Sequence, residues 1–198
     1  MRLGIFGGTF DPPHIGHLIL ASEAYSQLHL DKVLWVLTHF PPHKEEMPVT
    51  PLSDRLDLLQ AALDKNSTFE ISRIDIDRPP PHYAIDTMRL LRDKFPKNVL
   101  VYLMGGDSLV DLPTWHNPKE FILTCDEIGV MRRPGWSENL EILNQFFPSF
   151  QKRLRFVETP LLEISSTYIR SKICEGGPFR YYLPLKVYSI ITERGLYR

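Results

Sequence analysis

Two histidines, His14 and His17, stand one helical turn apart in GIFGGTFDPPHIGH (residues 4–17), behind paired glycines and paired prolines. On a helix that spacing lets both imidazoles face one point. Gly7 and Gly8 are read as following a first strand, RLGIF (2–6). Without β-carbons they can turn sharply and let a ligand come close to the backbone. Pro12 and Pro13 cannot continue a strand ladder, but their fixed φ suits the start of a helix. That helix would aim free N–H groups and the positive end of its dipole at the gap, which makes an anion site. The stretch is neither a Walker A loop nor a G-x-G-x-x-G turn. The residues alone leave open a phosphate grip built on imidazoles and a proline-rich turn carrying two surface histidines. A metal pair ranks below both, because no third ligand stands nearby in sequence.

Five further segments carry groups suited to nucleotide chemistry. ISSTYIR (164–170) puts hydroxyls at a predicted helix start, with Arg170 one turn on. Ser and Thr are favoured N-caps, yet a helix N-terminus with an Arg fork also suits pyrophosphate, and both hold if Ser165 caps while Ser166 or Thr167 binds. In PPHK (41–44), Lys44 offers a point charge that a lone loop lysine ordinarily gives to solvent. GGDSLVDLPTW (105–115) brings Gly105 and Asp107 to the end of a strand, where a carboxylate can accept two ribose hydroxyls or the segment can simply start a helix. Trp115, on the residues alone, reads first as core, the commoner fate of a tryptophan. HYAIDT (82–87) lies at another helix start, and MRRPG (131–135) at another strand end.

Something must position these groups. RLGIF (2–6), KVLWVLT (32–38), FEISR (69–73), NVLVYLM (98–104), DEIGVMRR (126–133) and RLRFVET (153–159) read as strands. NVLVYLM is apolar and β-branched enough to be buried on both faces. Helical patterns run from Ile15 to Leu28, Ser53 to Lys65, Ala84 to Phe95 and onward from Ser166. A last helix has Pro184 in its first turn and Gly195 just past its end. This βαβ alternation predicts the α/β class: a Rossmann-like, doubly wound, mostly parallel sheet with helices on both faces. Ligands then bind at the carboxyl ends of the strands, where the loops after residues 6, 38, 104 and 133 gather.

The 198 residues fit one domain with a sizeable core, and 43% hydrophobic with 24% charged residues is an ordinary globular balance. Lys and Arg number 23 against 24 acids, which argues against a general nucleic-acid binder and leaves room for a local basic cluster. Cys125 and Cys174 show no C-x-x-C spacing, so both are expected as buried thiols rather than as disulfide or zinc partners. No apolar run reaches about 18 residues, so no membrane span is expected. MRLGIFGG lacks a signal peptide's apolar stretch and cleavage site, which makes the cytoplasm the expected location.

GGTFDPPHIGH resembles the H-x-G-H signature of the nucleotidyltransferase superfamily, in the G-G-T-F-D-P context of bacterial nicotinate-nucleotide adenylyltransferases. The resemblance runs almost end to end and implies a single nucleotidyltransferase domain over residues 1–198. It implies an enzyme of NAD biosynthesis that moves the adenylyl group of ATP to nicotinate mononucleotide, giving deamido-NAD and pyrophosphate. His14, His17 and Arg170 would be its catalytic groups. Gly7, Gly8, Thr9, Phe10 and Arg132 would serve ATP. ISSTYIR is similar to I-S-[SA]-T-x-[IV]-R, in which Ser165, Ser166 and Thr167 would grip the β- and γ-phosphates. Gly105 and Asp107 match a G-x-D-S segment whose Asp holds the ATP ribose. For the mononucleotide, Lys44 would meet the phosphate and Trp115 stack on the pyridine ring. HYAIDT looks like S-Y-T-x-x-T; Tyr83, Ala84, Thr87 and His116 would surround the nicotinate carboxylate, with backbone N–H donors at Ala84 and His116.

Two departures stand out: Ala84 replaces a usual threonine, and Thr38-His39-Phe40 replaces a frequent Pro-x-Asn. Arg132 would organise adenine or a loop, Arg133 would be a surface residue, and the closing helix would be structural. The implied step is an in-line attack by an already anionic phosphate oxygen, needing no general base, with His17 on the α-phosphate and His14 towards the β/γ side. Mg²⁺ would ride on the ATP phosphates without a protein metal cage. The implied partners are ATP and nicotinate mononucleotide, with no nucleic acid and no membrane; members of the family can form homo-oligomers. Rival readings are a nicotinamide-mononucleotide or phosphopantetheine adenylyltransferase, a cytidylyltransferase, a non-catalytic nucleotide sensor and a class I aminoacyl-tRNA synthetase fragment. The short length and absence of a K-M-S-K-S-like loop disfavour the last.

Overall fold

A computed structural model of the chain describes residues 1–39, 49–64, 66–132, 147–148, 150–160 and 162–198. The six expected strands all form: β1 (Arg2–Gly8), β2 (Lys32–Leu37), β3 (Phe69–Ser72), β4 (Val99–Gly105), β5 (Glu127–Arg132) and β6 (Leu154–Glu158). Every neighbouring pair is parallel, in the order β3-β2-β1-β4-β5-β6. Gly7 and Gly8 do not follow β1 but end it, opposite Val36 and Leu37 of β2. Ladder bonds are made by the backbone, so glycine extends a strand wherever the neighbour keeps pairing. Gly105 likewise closes β4 opposite Met131.

Side chains alternate across the sheet with period two. Leu3, Ile5, Leu34, Val36, Leu100, Met104, Ile128 and Val130 enter one buried cluster. Phe6, Val33, Trp35, Leu37, Val101, Leu103 and Met131 enter another on the opposite face. Helix α3 (Ala84–Lys94) and α5 (Pro118–Thr124) cover the first face. Helix α1 (Ile15–Gln27) and α2 (Leu52–Leu63) cover the second. A third cluster joins α2 to α6 (Ser166–Cys174) and α7 (Leu185–Arg194) through Leu58, Ile169, Ile173, Val187 and Ile191.

Among the described residues, α4 (Gly106–Asp111) realises the helix start that was one of two readings of GGDSLVDLPTW, whereas α5 escapes the sequence reading. Neither is long enough to set up a helical period. The available signal for α5 was Asn117-Pro118, with Asn117 left-handed at φ 48° just before the proline. Pro12 and Pro13 also fall outside α1, because His14 is its N-cap; the Asp11–Pro12 peptide is cis. Pro184 is the N-cap of α7 rather than part of its first turn, and Gly195 ends that helix at φ 62°. Cys125 is buried, but Cys174 is exposed: it is the last residue of α6 and lies outside the apolar cluster that takes Ile169 and Ile173.

The strand order reverses between β1 and β4. At such a switch point the flanking loops part and open a crevice beyond the carboxyl ends of the strands.

Candidate active site

His14 and His17 meet at the start of α1, their rings stacked with centroids 3.7 Å apart at 28°. They cap the helix reciprocally. The backbone N–H of His17 donates to His14 Nδ1 (3.3 Å), and that of His14 donates to His17 Nδ1 (3.2 Å). An accepting Nδ1 carries no proton, so each neutral ring holds its proton on Nε2. The backbone thus selects one tautomer for both imidazoles and makes Nε2 the donor of each. Gly16 permits this fold-over: a β-carbon there would stand 3.0 Å from His14 Nδ1. The His17 ring is backed by Phe10 (5.1 Å, 75°) and Phe6 (6.1 Å, 61°), both meeting it edge-on. Phe10 is 2% exposed with φ 46°, a left-handed backbone that costs a non-glycine residue about 1–3 kcal/mol.

The loop ahead of α1 is held from several sides. Ser165 caps α6 by accepting from the N–H of Tyr168 (3.1 Å), and Ser166 Oγ donates to the Pro12 carbonyl (2.9 Å). Arg170 Nη1 donates to the Asp11 carbonyl (2.8 Å) and Nη2 to Thr167 Oγ1 (3.3 Å). The α6 N-terminus and the imidazole pair thereby come to one cavity of about 250 Å³, lined by Gly8, Thr9, His14, His17, Ser165 and Thr167.

Beneath this loop lies Arg55 of α2, 1% exposed, which the sequence reading missed. Its Nε donates to the Thr50 carbonyl (2.8 Å), Nη1 to those of Thr38 (2.7 Å) and Thr9 (3.2 Å), and Nη2 to that of His39 (2.9 Å). One fork therefore ties the loop after β1 to the loop after β2. Desolvation lowers the guanidinium's pKa, and Asp11 and then Tyr197 act in the opposite direction. Asp11, also buried, accepts from the Thr50 N–H (3.2 Å) and from the Tyr197 hydroxyl (2.8 Å). Burial, then Asp11, pushes the Tyr197 phenol up, so it donates rather than ionises.

Two more cavities adjoin the first. One, of about 310 Å³, runs from Gly7 and Thr9 past Tyr102 to Tyr83, Thr87 and Trp115. The other, of about 210 Å³, is bounded by His17, Gly105, Asp107, Trp115 and Met131. They share Gly7, Tyr102, Ser108 and Trp115, and His17 joins the smaller one to the imidazole cavity. Gly105 is the N-cap of α4, which leaves the exposed Asp107 in its first turn. Tyr83 caps α3 by position, so the Ala84 N–H belongs to the unpaired first turn. Thr87 Oγ1 donates to Asp75 (2.8 Å), which also accepts from Arg78 Nε (2.9 Å). His116 was expected to offer only its backbone; its ring lies stacked on Tyr83 at 4.2 Å. Lys44 and Arg133 lie outside the described residues, as does the side chain of Arg132, whose backbone ends β5. Asp75 and Arg78 were missed too, although their IDIDRPPP segment directly precedes the motif read at 82–87, whose first residue, His82, was given no role.

A doubly wound parallel sheet with two helix N-termini and an imidazole pair at its switch point defines a Rossmann-like class built to hold phosphates. The chain belongs to the cytidylyltransferase-like family, whose model matches residues 5–172. It is 45% identical over 197 residues to a protein of Thermomicrobium roseum named as a probable nicotinate-nucleotide adenylyltransferase, covering 100% of this chain and 92% of that one. It is 35% identical over 196 residues to the nicotinate-nucleotide adenylyltransferase of Bacillus subtilis, covering 99% and 98%. Among solved structures, the nicotinic acid mononucleotide adenylyltransferase of Plasmodium falciparum complexed with NaAD shares the fold, with a TM-score of 0.80 at 18% identity over 99% of this chain and 97% of that one.

Proposed function

We propose that this protein transfers the adenylyl group of ATP to nicotinate mononucleotide, giving nicotinate adenine dinucleotide and pyrophosphate. The observation that carries the reading is the reciprocal His14–His17 cap, in a cavity that shares Gly8 and Thr9 with the larger chamber and His17 with the smaller one, in a chain related along its length to proteins named for that activity. A phosphate monoester is anionic at neutral pH and attacks the α-phosphorus without a general base. The protein must align the two substrates and stabilise the charge that grows on the α-phosphoryl group and the leaving pyrophosphate. In this reading the Nε2–H of His17 serves the α-phosphate and that of His14 the β/γ side. The α6 N-terminus, with Ser166 and Thr167, takes the pyrophosphate. Arg170 does not line that cavity; it holds the Asp11 carbonyl and the Thr167 hydroxyl, so its charge stands behind the α6 N-terminus and favours an anion there.

The cavity bounded by Gly105 and Asp107 takes the ATP ribose. The 310 Å³ chamber takes the mononucleotide, its pyridine ring against Trp115 and its carboxylate near the N–H groups of Ala84 and His116. Mg²⁺ enters with ATP as part of that substrate; among the described residues no three His, Cys, Asp or Glu side chains gather as a metal cage. No helix among them is long and apolar enough to cross a membrane. The proposed reaction belongs to the cytoplasm, where its soluble substrates are found. Incubating purified protein with MgATP and, separately, nicotinate mononucleotide, nicotinamide mononucleotide or phosphopantetheine, and measuring pyrophosphate release, tests the assignment. Turnover is expected with nicotinate mononucleotide foremost; preference for another acceptor overturns it.

A further inference from the structure

Tyr102 lies in the middle of β4, opposite Ile5 of β1. Its ring reaches towards the carboxyl end of the sheet, where the hydroxyl oxygen stands 3.3 Å from the place a β-carbon on Gly7 would take. The side chain therefore sits at the β1/β4 switch point, and it lines both the 310 Å³ chamber and its 210 Å³ neighbour. Aromatic packing fixes it: Phe121 meets the ring edge-on at 4.9 Å and 88°, and Trp115 at 6.2 Å and 77°. Phenylalanine would satisfy those contacts equally. The hydroxyl, by contrast, hydrogen-bonds to none of the described residues, while Asp75 and Thr87 across the chamber bond to each other and to Arg78 behind them. Desolvation, then Cys125 and Asp75, holds the phenol above its ordinary pKa, so it stays protonated. A fixed hydroxyl with no internal partner, set in a chamber wall, is a hydrogen-bond donor for the occupant.

We propose that the Tyr102 hydroxyl is a specificity-determining contact for the pyridine mononucleotide. This rests on the assignment of the larger chamber to that substrate, and Trp115, the expected stacking partner of the pyridine ring, is in contact with the Tyr102 ring. Tyr102→Phe removes one oxygen and keeps the packing, so its melting temperature should stay within about 2 °C of wild type. The KM for nicotinate mononucleotide should rise roughly fivefold, the loss of about one hydrogen bond, with the KM for ATP and kcat changed less than about twofold. Calorimetric titration of nicotinate mononucleotide into ATP-free protein should show the same roughly fivefold weakening. Unchanged affinity for the mononucleotide, or equal loss for both substrates, overturns the inference while leaving the enzymatic reading intact. Wild-type protein that binds no pyridine mononucleotide overturns both.

Discussion

At the scale of single residues, the H-x-G-H text encodes a proton position. Each imidazole gives its Nδ1 to the other's backbone N–H, and that choice places the ring proton on Nε2. The sequence showed that two rings could converge, because the i, i+3 spacing is visible in text. Their mutual capping was not legible, since histidine is not among the usual N-cap residues. His17→Ala should lower kcat by roughly two to three decades, comparable to losing an oxyanion-hole donor, and destabilise the fold by only about 1 kcal/mol through the lost cap. Steady-state kinetics beside thermal melting separates the two effects. Gly16→Ala makes a sharper case. Alanine favours a helix over glycine by about 1 kcal/mol, yet its methyl would crowd His14 Nδ1 at 3.0 Å. Turnover should fall at least about tenfold while the melting temperature holds or rises, a pairing that a purely structural role for Gly16 would not give.

Elements position these residues, and at this scale the reading from sequence divides cleanly. The inner strands were legible as apolar runs whose residues alternate between two buried faces, as Val33, Leu34, Trp35 and Val36 do, and the edge strands β3 and β6 as short runs in which apolar residues alternate with exposed ones. The anchoring of the loops was not. In RLDLLQAALDK nothing distinguishes Arg55 from an exposed helical arginine, because its four carbonyl partners come from segments up to 46 residues away. Arg55→Met strips donors from those carbonyls and should cost about 3 kcal/mol or more in urea unfolding. Arg55→Lys keeps the charge but not the fork, and should recover stability better than kcat. The same region carries a pH dependence. Desolvation, then Arg55 and His82, lowers the His39 pKa below its ordinary 6.5. Below that value the unfolded chain takes up a proton that the folded chain resists. Stability should therefore fall as pH drops from about 6.5 through the lowered folded pKa. His39→Gln should flatten that limb when urea midpoints are compared at about pH 5 and pH 7.5.

For the whole molecule, the βαβ alternation was enough to read a doubly wound sheet, and the switch point follows from strand order. What the sequence could not show is that three cavities share walls around one loop, because that depends on contacts among β1, α1, β4 and α6. Shared walls make ligand binding a global stabiliser. A non-hydrolysable ATP analogue at about a hundredfold its Kd should add about 2.7 kcal/mol and raise the melting temperature by roughly 5–10 °C. An unmoved transition would argue against a preformed nucleotide site. Equally hidden was the bond from Tyr197 to Asp11, which spans 186 positions of sequence. Translation proceeds from one end, so Asp11 emerges long before Tyr197. Until Tyr197 clears the ribosome tunnel, the nascent sheet lacks the hydroxyl that helps fix its first loop. Full competence should therefore wait until Tyr197 has emerged.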